Sequence, residues 1–184
     1  MGHGADDTQP RNPETLMNTE TRESDVELVD AVHGFMQLGG QTTGKMNADQ
    51  ACLYTGLQLE ELAEKIEAIS KGCLTAAVSA DLRYLVNTLN DYAAQFKKGL
   101  HAGDILRANH AELIDADFDL AWVSIGALIS VSPEPERAIA HGTYTNLDKF
   151  RDGKCVKDAN GKIQKPADWR APDFTPYIDT RVLV

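Results

Sequence analysis

Residues 112–131 read ELIDADFDLAWVSIGALISV, and this stretch decides the fold. Its second half is almost wholly apolar, and no proline interrupts it before Pro133. A helix that is apolar around most of its circumference is typical of the centre of a helical protein. We therefore predict a long fourth helix over about 104–131 that lies in the core, with Phe118 and Trp122 packed inside it.

Apolar residues recur at helical spacing on both sides of this stretch. Ser24 and Glu27 form a capping box at the start of a first helix, which Gly39-Gly40 ends, and Asn47 is suited to cap a second. Besides the long helix, four are predicted, over about 25–38, 48–69, 76–98 and 135–150. Because no alternating strand pattern or internal repeat is present, we predict an all-α fold, a bundle of four to five helices.

The two ends of the chain differ from the segment between them. Residues 1–23 are polar and without helical or strand period, so we expect a flexible tail. Residues 151–184 contain several glycines and prolines with little periodicity, which predicts a loop-rich C-terminal arm. The helical bundle is therefore assigned to residues 24–150.

The composition excludes several classes of protein. The 184 residues are enough for one domain, and acidic residues outnumber basic ones by 28 to 18, giving a net charge of −10. This charge argues against a broad nucleic-acid-binding face, and no apolar run reaches the ~18 residues of a membrane span. There is no signal-peptide pattern, and the three cysteines include no CxxC pair. We expect a soluble, cytoplasmic protein without nucleic-acid or membrane partners.

Two of the predicted helices carry a stripe of carboxylates along one face. The stripe on the second helix consists of Glu60, Glu61, Glu64 and Glu67. The stripe on the fourth helix consists of Glu112, Asp115 and Asp119. Each stripe taken alone is consistent with an ordinary solvated helix face.

The position of Asp115 and Asp119 favours a metal site over a solvated face. Both lead directly into the apolar half of the fourth helix, so we expect them to be buried, and no lysine or arginine occurs between Ala108 and Arg137. Buried carboxylates that lack basic neighbours require a cation to neutralise them. An all-oxygen ligand set suits Mg²⁺ or Mn²⁺.

Other catalytic patterns are missing from the sequence. No glutamate is followed by histidine three residues later, as di-iron bundles require, and there is no HExxH zinc motif. A GxSxG elbow and a GxxxxGK[ST] phosphate loop are also absent. If the protein handles phosphates, a metal ion is expected to hold them.

Three segments resemble one family, in the family's order. LEELAE at 59–64 is similar to an EExxE motif, and 112–126 is similar to an ELADALADLIYVxxG helix. TNLDKF at 145–150 resembles an SNMSKF segment, and the GKxxKP tail that follows it in the family is matched at 161–166. The family is that of the all-α nucleoside triphosphate pyrophosphohydrolases, which includes MazG and phosphoribosyl-ATP pyrophosphohydrolase. The resemblance is strongest to its phage and bacterial MazG-like branch.

The resemblance implies a reaction and a set of site residues. The reaction is hydrolysis of a (d)NTP to a (d)NMP and pyrophosphate, in a dimer or tetramer that cleans or remodels the nucleotide pool. The implied Mg²⁺ ligands are Glu61, Glu64, Asp115, Asp119 and Glu112. Glu60 is a candidate base or a further ligand. The implied contacts to phosphates or nucleotide are Asn146, Lys149, Lys162 and Lys165, and the amides that are suited to read the base are Gln37 and Gln41.

Two departures from the family pattern leave alternatives open. The segment over 76–98 is enlarged, and the glutamate of the family's ExxD pair falls on Ala116, so Asp115 or Glu112 must replace it. The alternative functions are hydrolysis of another pyrophosphate nucleotide, such as phosphoribosyl-ATP or a guanosine alarmone, and a non-catalytic helical interaction module. The preferred base and sugar cannot be derived from the sequence.

Overall fold

The computed structural model describes residues 28–150, 153 and 155–179. Its α-helices there are α1 (Leu28–Leu38), α2 (Ala48–Lys71), α3 (Ala76–Lys97), α4 (Ala102–Arg107), α5 (His110–Val131) and α6 (Pro135–Leu147). Two 3-10 helices cover Asp148–Phe150 and Thr175–Tyr177. No strand longer than one residue occurs in these ranges, so the all-α fold class is confirmed. The predicted N-terminal tail and the capping box at Ser24 lie outside the described residues.

Local capping explains how α1 ends and α2 begins. The side chain of Asn47 accepts a hydrogen bond from the Gln50 backbone N–H at 3.1 Å, which satisfies a donor that the first turn of a helix leaves free. At the end of α1, the N–H of Gln41 donates to the Met36 carbonyl at 2.8 Å, and Gly40 has φ 58°. This left-handed conformation favours glycine, so the predicted glycine stop signal is confirmed.

The predicted fourth helix is in fact two helices. α4 ends at Arg107, and Ala108 has an extended backbone (φ −66°, ψ 161°) before α5 begins at His110. Within α4, Arg107 donates to Asp104 at 2.6 Å, so the charged residues of this short helix pair locally. Asn109, a residue type that favours helix N-caps, then precedes α5. The prediction of one continuous helix is wrong here because apolar spacing does not reveal a break in the backbone.

The described residues fall into two compact units. The second unit comprises Gly44–Asn109 and Lys157–Lys162, and α2 and α3 pack extensively against each other within it. Their backbones approach closely at Gly56, where an added Cβ would lie 2.8 Å from the Ala93 carbonyl oxygen. The buried apolar residues of this unit are Cys52, Leu53, Ala63, Val86, Ala93 and Ile105.

The first unit comprises the described parts of Met1–Thr43, His110–Val156 and Ile163–Val184, and therefore holds α1, α5 and α6. α6 ends before the predicted position and tightens into the 3-10 helix Asp148–Phe150. Among the residues that the structure describes in this unit, the buried apolar ones are Ala31, Ala138, Ala140, Leu147, Phe150 and Ile163. All of them lie outside α5.

The packing of α5 differs from the prediction. No residue of α5 is buried, and Phe118 and Trp122 are 60% and 69% exposed. The prediction that this helix lies in the core is therefore wrong for the described chain. Burial of an apolar helix requires a neighbouring layer, and among the elements that the structure describes in the first unit none packs extensively on α5.

The first half of α5 carries four acidic residues. No helix in the part of the chain that the structure describes is long and apolar enough to cross a membrane.

Candidate functional site

The first unit brings together side chains from two motifs that are distant in sequence. Lys149 Nζ donates a hydrogen bond to Asn146 Oδ1 at 2.7 Å and lies 5.4 Å from the ring centroid of Trp169. Lys165 Nζ lies 4.5 Å from the same centroid. Both distances fall within the roughly 6 Å range of cation–π interactions. We refer to Asn146, Lys149, Lys165 and Trp169 as the lysine–tryptophan cluster.

The end of α6 positions the first half of this cluster. Asn146 lies in the last turn of α6, and Lys149 lies in the 3-10 helix that follows. Phe150 is 1% exposed and packs edge-to-face on Phe35 of α1, with ring centroids 5.0 Å apart. Lys149 Nζ lies 5.6 Å from the same Phe35 ring. A buried aromatic pair thus fixes the backbone from which Lys149 projects.

A turn and a helix end position the second half of the cluster. The backbone N–H of Trp169 donates to the Pro166 carbonyl at 3.0 Å, and Lys165 lies back over the indole ring. The indole N–H of Trp169 donates to the Thr145 carbonyl at 2.9 Å. Thr145 is one of the last four residues of α6, whose carbonyls lack a partner inside the helix. Trp169 therefore satisfies a backbone carbonyl at the end of α6, and the same hydrogen bond holds the indole in place.

The two glutamines that were predicted to read the base lie in the first unit. Gln37 is exposed in the last turn of α1, and Gln41 is half-buried just beyond the glycine turn. A Cβ on Gly39 would lie 2.6 Å from Ile163 Cδ1, so the segment that leads to Lys165 packs against this turn. The base-reading role of the two glutamines stays a prediction.

The carboxylates of α5 are not in the environment that we predicted. Glu112, Asp115 and Asp119 are all exposed, because α5 itself is uncovered. The expected burial of Asp115 and Asp119 is therefore wrong, and the argument that desolvation demands a cation does not apply to this single chain. Their spacing still places them on one face of α5.

Glu60, the candidate base on α2, is held by two lysines of its own unit. Its carboxylate accepts a hydrogen bond from Lys97 Nζ at 2.8 Å and from Lys162 Nζ at 2.7 Å. Partial burial raises the pKa of the Glu60 carboxyl, but the hydrogen bonds and charges of Lys162 and Lys97 outweigh this effect and lower the pKa below its ordinary value. A carboxylate of lowered pKa is a weaker general base, and Lys162 is engaged with Glu60. The roles of both residues in catalysis stay predictions.

The implied metal ligands have the chemistry that Mg²⁺ requires, but they form no metal-binding cluster among the described residues. Glu61 and Glu64 are exposed on α2 in the second unit, whereas the three acids of α5 belong to the first. Carboxylate oxygens are the donors that Mg²⁺ prefers. Among the described residues, no three His, Cys, Asp or Glu side chains lie close enough together to hold a metal ion.

The buried cysteine of the second unit is a core residue. Cys52 is 0% exposed, and its thiol donates to the Phe96 carbonyl at 3.1 Å. Burial raises the pKa of the Cys52 thiol, so it stays protonated at neutral pH and is not an activated nucleophile.

The structural role of Trp169 is not predicted by the sequence motifs. Trp169 lies four residues after Lys165 and three after Pro166, a spacing compatible with a turn that returns the ring to the lysine. Its contact with Thr145 joins residues 24 positions apart and has no local signature. The chain matches no protein-family model, no curated protein and no solved structure.

Proposed function

We propose that this protein is a Mg²⁺-dependent nucleoside triphosphate pyrophosphohydrolase, which converts a (d)NTP and water to a (d)NMP and pyrophosphate. The observation that carries the proposal is the lysine–tryptophan cluster. It brings Asn146 and Lys149 of one family-like motif next to Lys165 of another, as expected if both motifs contact the same phosphates. The ordered resemblance of three sequence segments to the pyrophosphohydrolase family supplies the reaction.

In this proposal, the lysines bind the polyphosphate of the substrate. Lysine ammonium groups donate charge-assisted hydrogen bonds to phosphate oxygens, and the amide of Asn146 fixes Lys149 at 2.7 Å. The leaving group is pyrophosphate, because the oxygen of water bonds to the α-phosphorus as the bond from that phosphorus to the bridging oxygen breaks. The lysines neutralise the charge that develops on the departing pyrophosphate.

The proposed metal ligands are the exposed acids of two helices. These are Glu61 and Glu64 on α2, and Glu112, Asp115 and Asp119 on α5. When bound, Mg²⁺ neutralises phosphate charge and lowers the pKa of a coordinated water. The three acids of α5 lie in a stretch without lysine or arginine between Ala108 and Arg137, so their negative charge attracts divalent cations.

We further propose that a second copy of the chain covers α5, so that the working form is a homo-oligomer. Eight large apolar side chains of α5 are 39% to 71% exposed. They are Ile114, Phe118, Leu120, Trp122, Val123, Ile125, Ile129 and Val131. Five of them, Ile114, Phe118, Trp122, Ile125 and Ile129, share one face of the helix, and this is the face that the second copy covers in the proposal. A two-fold pair buries the same patch on both copies.

A substrate panel tests the proposed reaction. Purified full-length protein is incubated with the ribo- and deoxyribonucleoside triphosphates and Mg²⁺, and the products are identified by ³¹P NMR. The proposal predicts a monophosphate and pyrophosphate from at least one nucleotide, and loss of that activity in Glu64→Gln and Asp119→Asn. Lys98→Ala, which removes an exposed lysine at the end of α3, is the matched control and retains activity. Release of orthophosphate from a triphosphate contradicts the proposal.

One observation favours the alternative of a helical interaction module. The described residues expose a long apolar helix and assemble no group of three metal-binding side chains. Such a module binds a partner through α5 but hydrolyses nothing. The same panel separates the two functions, because the module shows no turnover with any triphosphate, with phosphoribosyl-ATP or with a guanosine alarmone.

A further inference from the structure

We propose that Trp169 is a positioning residue, which holds Lys149 and Lys165 as a paired cationic site for the pyrophosphate part of a nucleotide. The inference rests on the proposed function for the identity of the ligand, and it adds a residue to which the sequence analysis gave no role. It is carried by the contacts of the indole, whose N–H donates to the protein backbone and whose ring lies within cation–π distance of two ammonium groups.

The indole is anchored by more than its own packing. Its N–H donates to the Thr145 carbonyl at 2.9 Å, and its backbone N–H closes a turn with Pro166 at 3.0 Å. The ring therefore has a fixed position at the end of α6. Tryptophan offers the strongest cation–π surface of the aromatic residues, so a lysine that contacts this ring is held with it.

The two lysines reach this ring from different segments of the chain, one 20 residues and one four residues before Trp169. Lys149 Nζ lies 5.4 Å and Lys165 Nζ 4.5 Å from the ring centroid, so the two nitrogens lie within about 10 Å of each other. Two like charges within about one Debye length repel, and a ligand with several negative oxygens relieves that repulsion. Pyrophosphate and tripolyphosphate have this chemistry.

Trp169 strengthens binding by ordering the lysines before the ligand arrives. A free lysine has many rotamers, and fixing it during binding weakens affinity by roughly 2- to 12-fold for each side chain. A ring that already holds both ammonium groups removes part of that loss. We therefore expect Trp169→Ala to weaken pyrophosphate binding by about 10-fold without removing any group that donates to the ligand.

Calorimetric titration of the full-length protein with inorganic pyrophosphate and with tripolyphosphate tests this role, in EDTA and again with Mg²⁺. The expected order of affinity is wild type, then Trp169→Phe, then Trp169→Ala, because phenylalanine keeps a ring but loses the N–H donor. Lys98→Ala is the matched control for nonspecific charge and binds within 2-fold of wild type. Far-UV circular dichroism checks that each variant is folded, and Trp169→Phe provides the test if the alanine variant is not.

A double-mutant cycle separates positioning from direct contact. If Trp169 acts through the lysines, Trp169→Ala has no further effect on pyrophosphate affinity in a Lys149→Ala/Lys165→Ala background. If Trp169→Ala lowers pyrophosphate affinity equally with and without the two lysines, the inference is overturned. It is also overturned if both Trp169 variants bind pyrophosphate as well as the wild type, or if the wild type does not bind it. A second readout is the indole fluorescence of a Trp122→Phe variant, whose remaining tryptophan is Trp169. Pyrophosphate is expected to change this fluorescence, and an unchanged spectrum at saturation contradicts the inference.

These outcomes are distinguishable from failure of the proposed function. Pyrophosphate binding that depends on Trp169, in a protein without triphosphate turnover, supports the anion site and refutes the enzymatic reaction. Triphosphate turnover with an unchanged KM in Trp169→Phe and Lys165→Ala supports the enzymatic reaction and refutes the anion site.

Discussion

Glu60→Gln removes one charge from a partly buried ion-pair network. The Glu60 side chain is 25% exposed and contacts Lys97, which is 21% exposed, and Lys162, which is 40% exposed. Glutamine has the same shape and still accepts hydrogen bonds, so the substitution isolates the electrostatic contribution. The aliphatic part of Lys97 packs at Gly56, where an added Cβ would lie 2.7 Å from Lys97 Cγ, and this contact is unaffected.

The expected loss of stability follows from the exposure of each pair. Exposed ion pairs contribute about 0.2–1 kcal/mol, and the better buried Lys97 pair belongs at the upper end of that range. The Lys162 pair is more exposed and more strongly screened, so we assign it about 0.5 kcal/mol. The free energy of unfolding of the second unit is therefore expected to fall by about 1.5 kcal/mol at pH 7.

The pH dependence has a definite sign. Because the pKa of Glu60 is lowered in the folded state, its contribution is fully present above the unfolded pKa and is lost as the pH falls through the folded pKa. The difference between wild type and Glu60→Gln is thus constant from about pH 6 to 8 and disappears in acid, below the ordinary carboxyl range near pH 4.

Urea unfolding followed by far-UV circular dichroism measures the loss, and hydrogen exchange of the α2 and α3 amides locates it. Glu67→Gln is the matched control, because Glu67 lies on the same helix and pairs with Lys71 at 3.4 Å with both side chains more than half exposed. It is expected to change stability by less than about 0.5 kcal/mol. A Glu60→Gln variant as stable as wild type at pH 7, or equally destabilised at pH 7 and pH 3, would contradict the electrostatic role of Glu60. Loss of turnover without loss of stability would instead identify Glu60 as a catalytic base.

Three further predictions follow from other contacts. Gly56→Ala is expected to lower the urea stability by about 1–3 kcal/mol because of its clash with the α3 backbone, whereas Gly126→Ala, with open space around it, is expected to be neutral or up to about 1 kcal/mol stabilising. Mg²⁺ at 100 times its Kd is expected to stabilise the wild type by up to about 2.7 kcal/mol and so to raise its melting temperature, with a smaller rise in Glu64→Gln. Equal shifts of the melting temperature in the two proteins would contradict the metal assignment. Ile125→Asp is expected to dissociate the oligomer in light scattering after gel filtration, whereas Ser124→Asp on the same exposed helix leaves it intact; a monomeric wild type refutes the covering of α5.

The sequence predicted well what is local in the chain. Asn47 and Gly40 mark helix ends because each satisfies or permits a specific backbone geometry within a few residues. The break at Ala108 was missed because apolar spacing continues across it and the extended residue has no distinctive side chain.

The sequence predicted poorly what depends on distant partners. Glu60 meets Lys162 across 102 positions, and Trp169 meets Thr145 across 24, and no spacing rule connects such residues. The apolar half of α5 is exposed in the described chain. Its burial was wrongly predicted because periodicity specifies a face and leaves its partner undefined.

Hydrolysis in ¹⁸O-labelled water tests the central claim most directly. The protein is incubated with Mg²⁺ and its best triphosphate substrate, and ³¹P NMR and mass spectrometry locate the label in the products. Attack at the α-phosphorus predicts a monophosphate that carries one ¹⁸O, with unlabelled pyrophosphate and no orthophosphate. Label in the pyrophosphate would contradict attack at the α-phosphorus. Release of diphosphate and orthophosphate would contradict the assignment of this chain as a nucleoside triphosphate pyrophosphohydrolase.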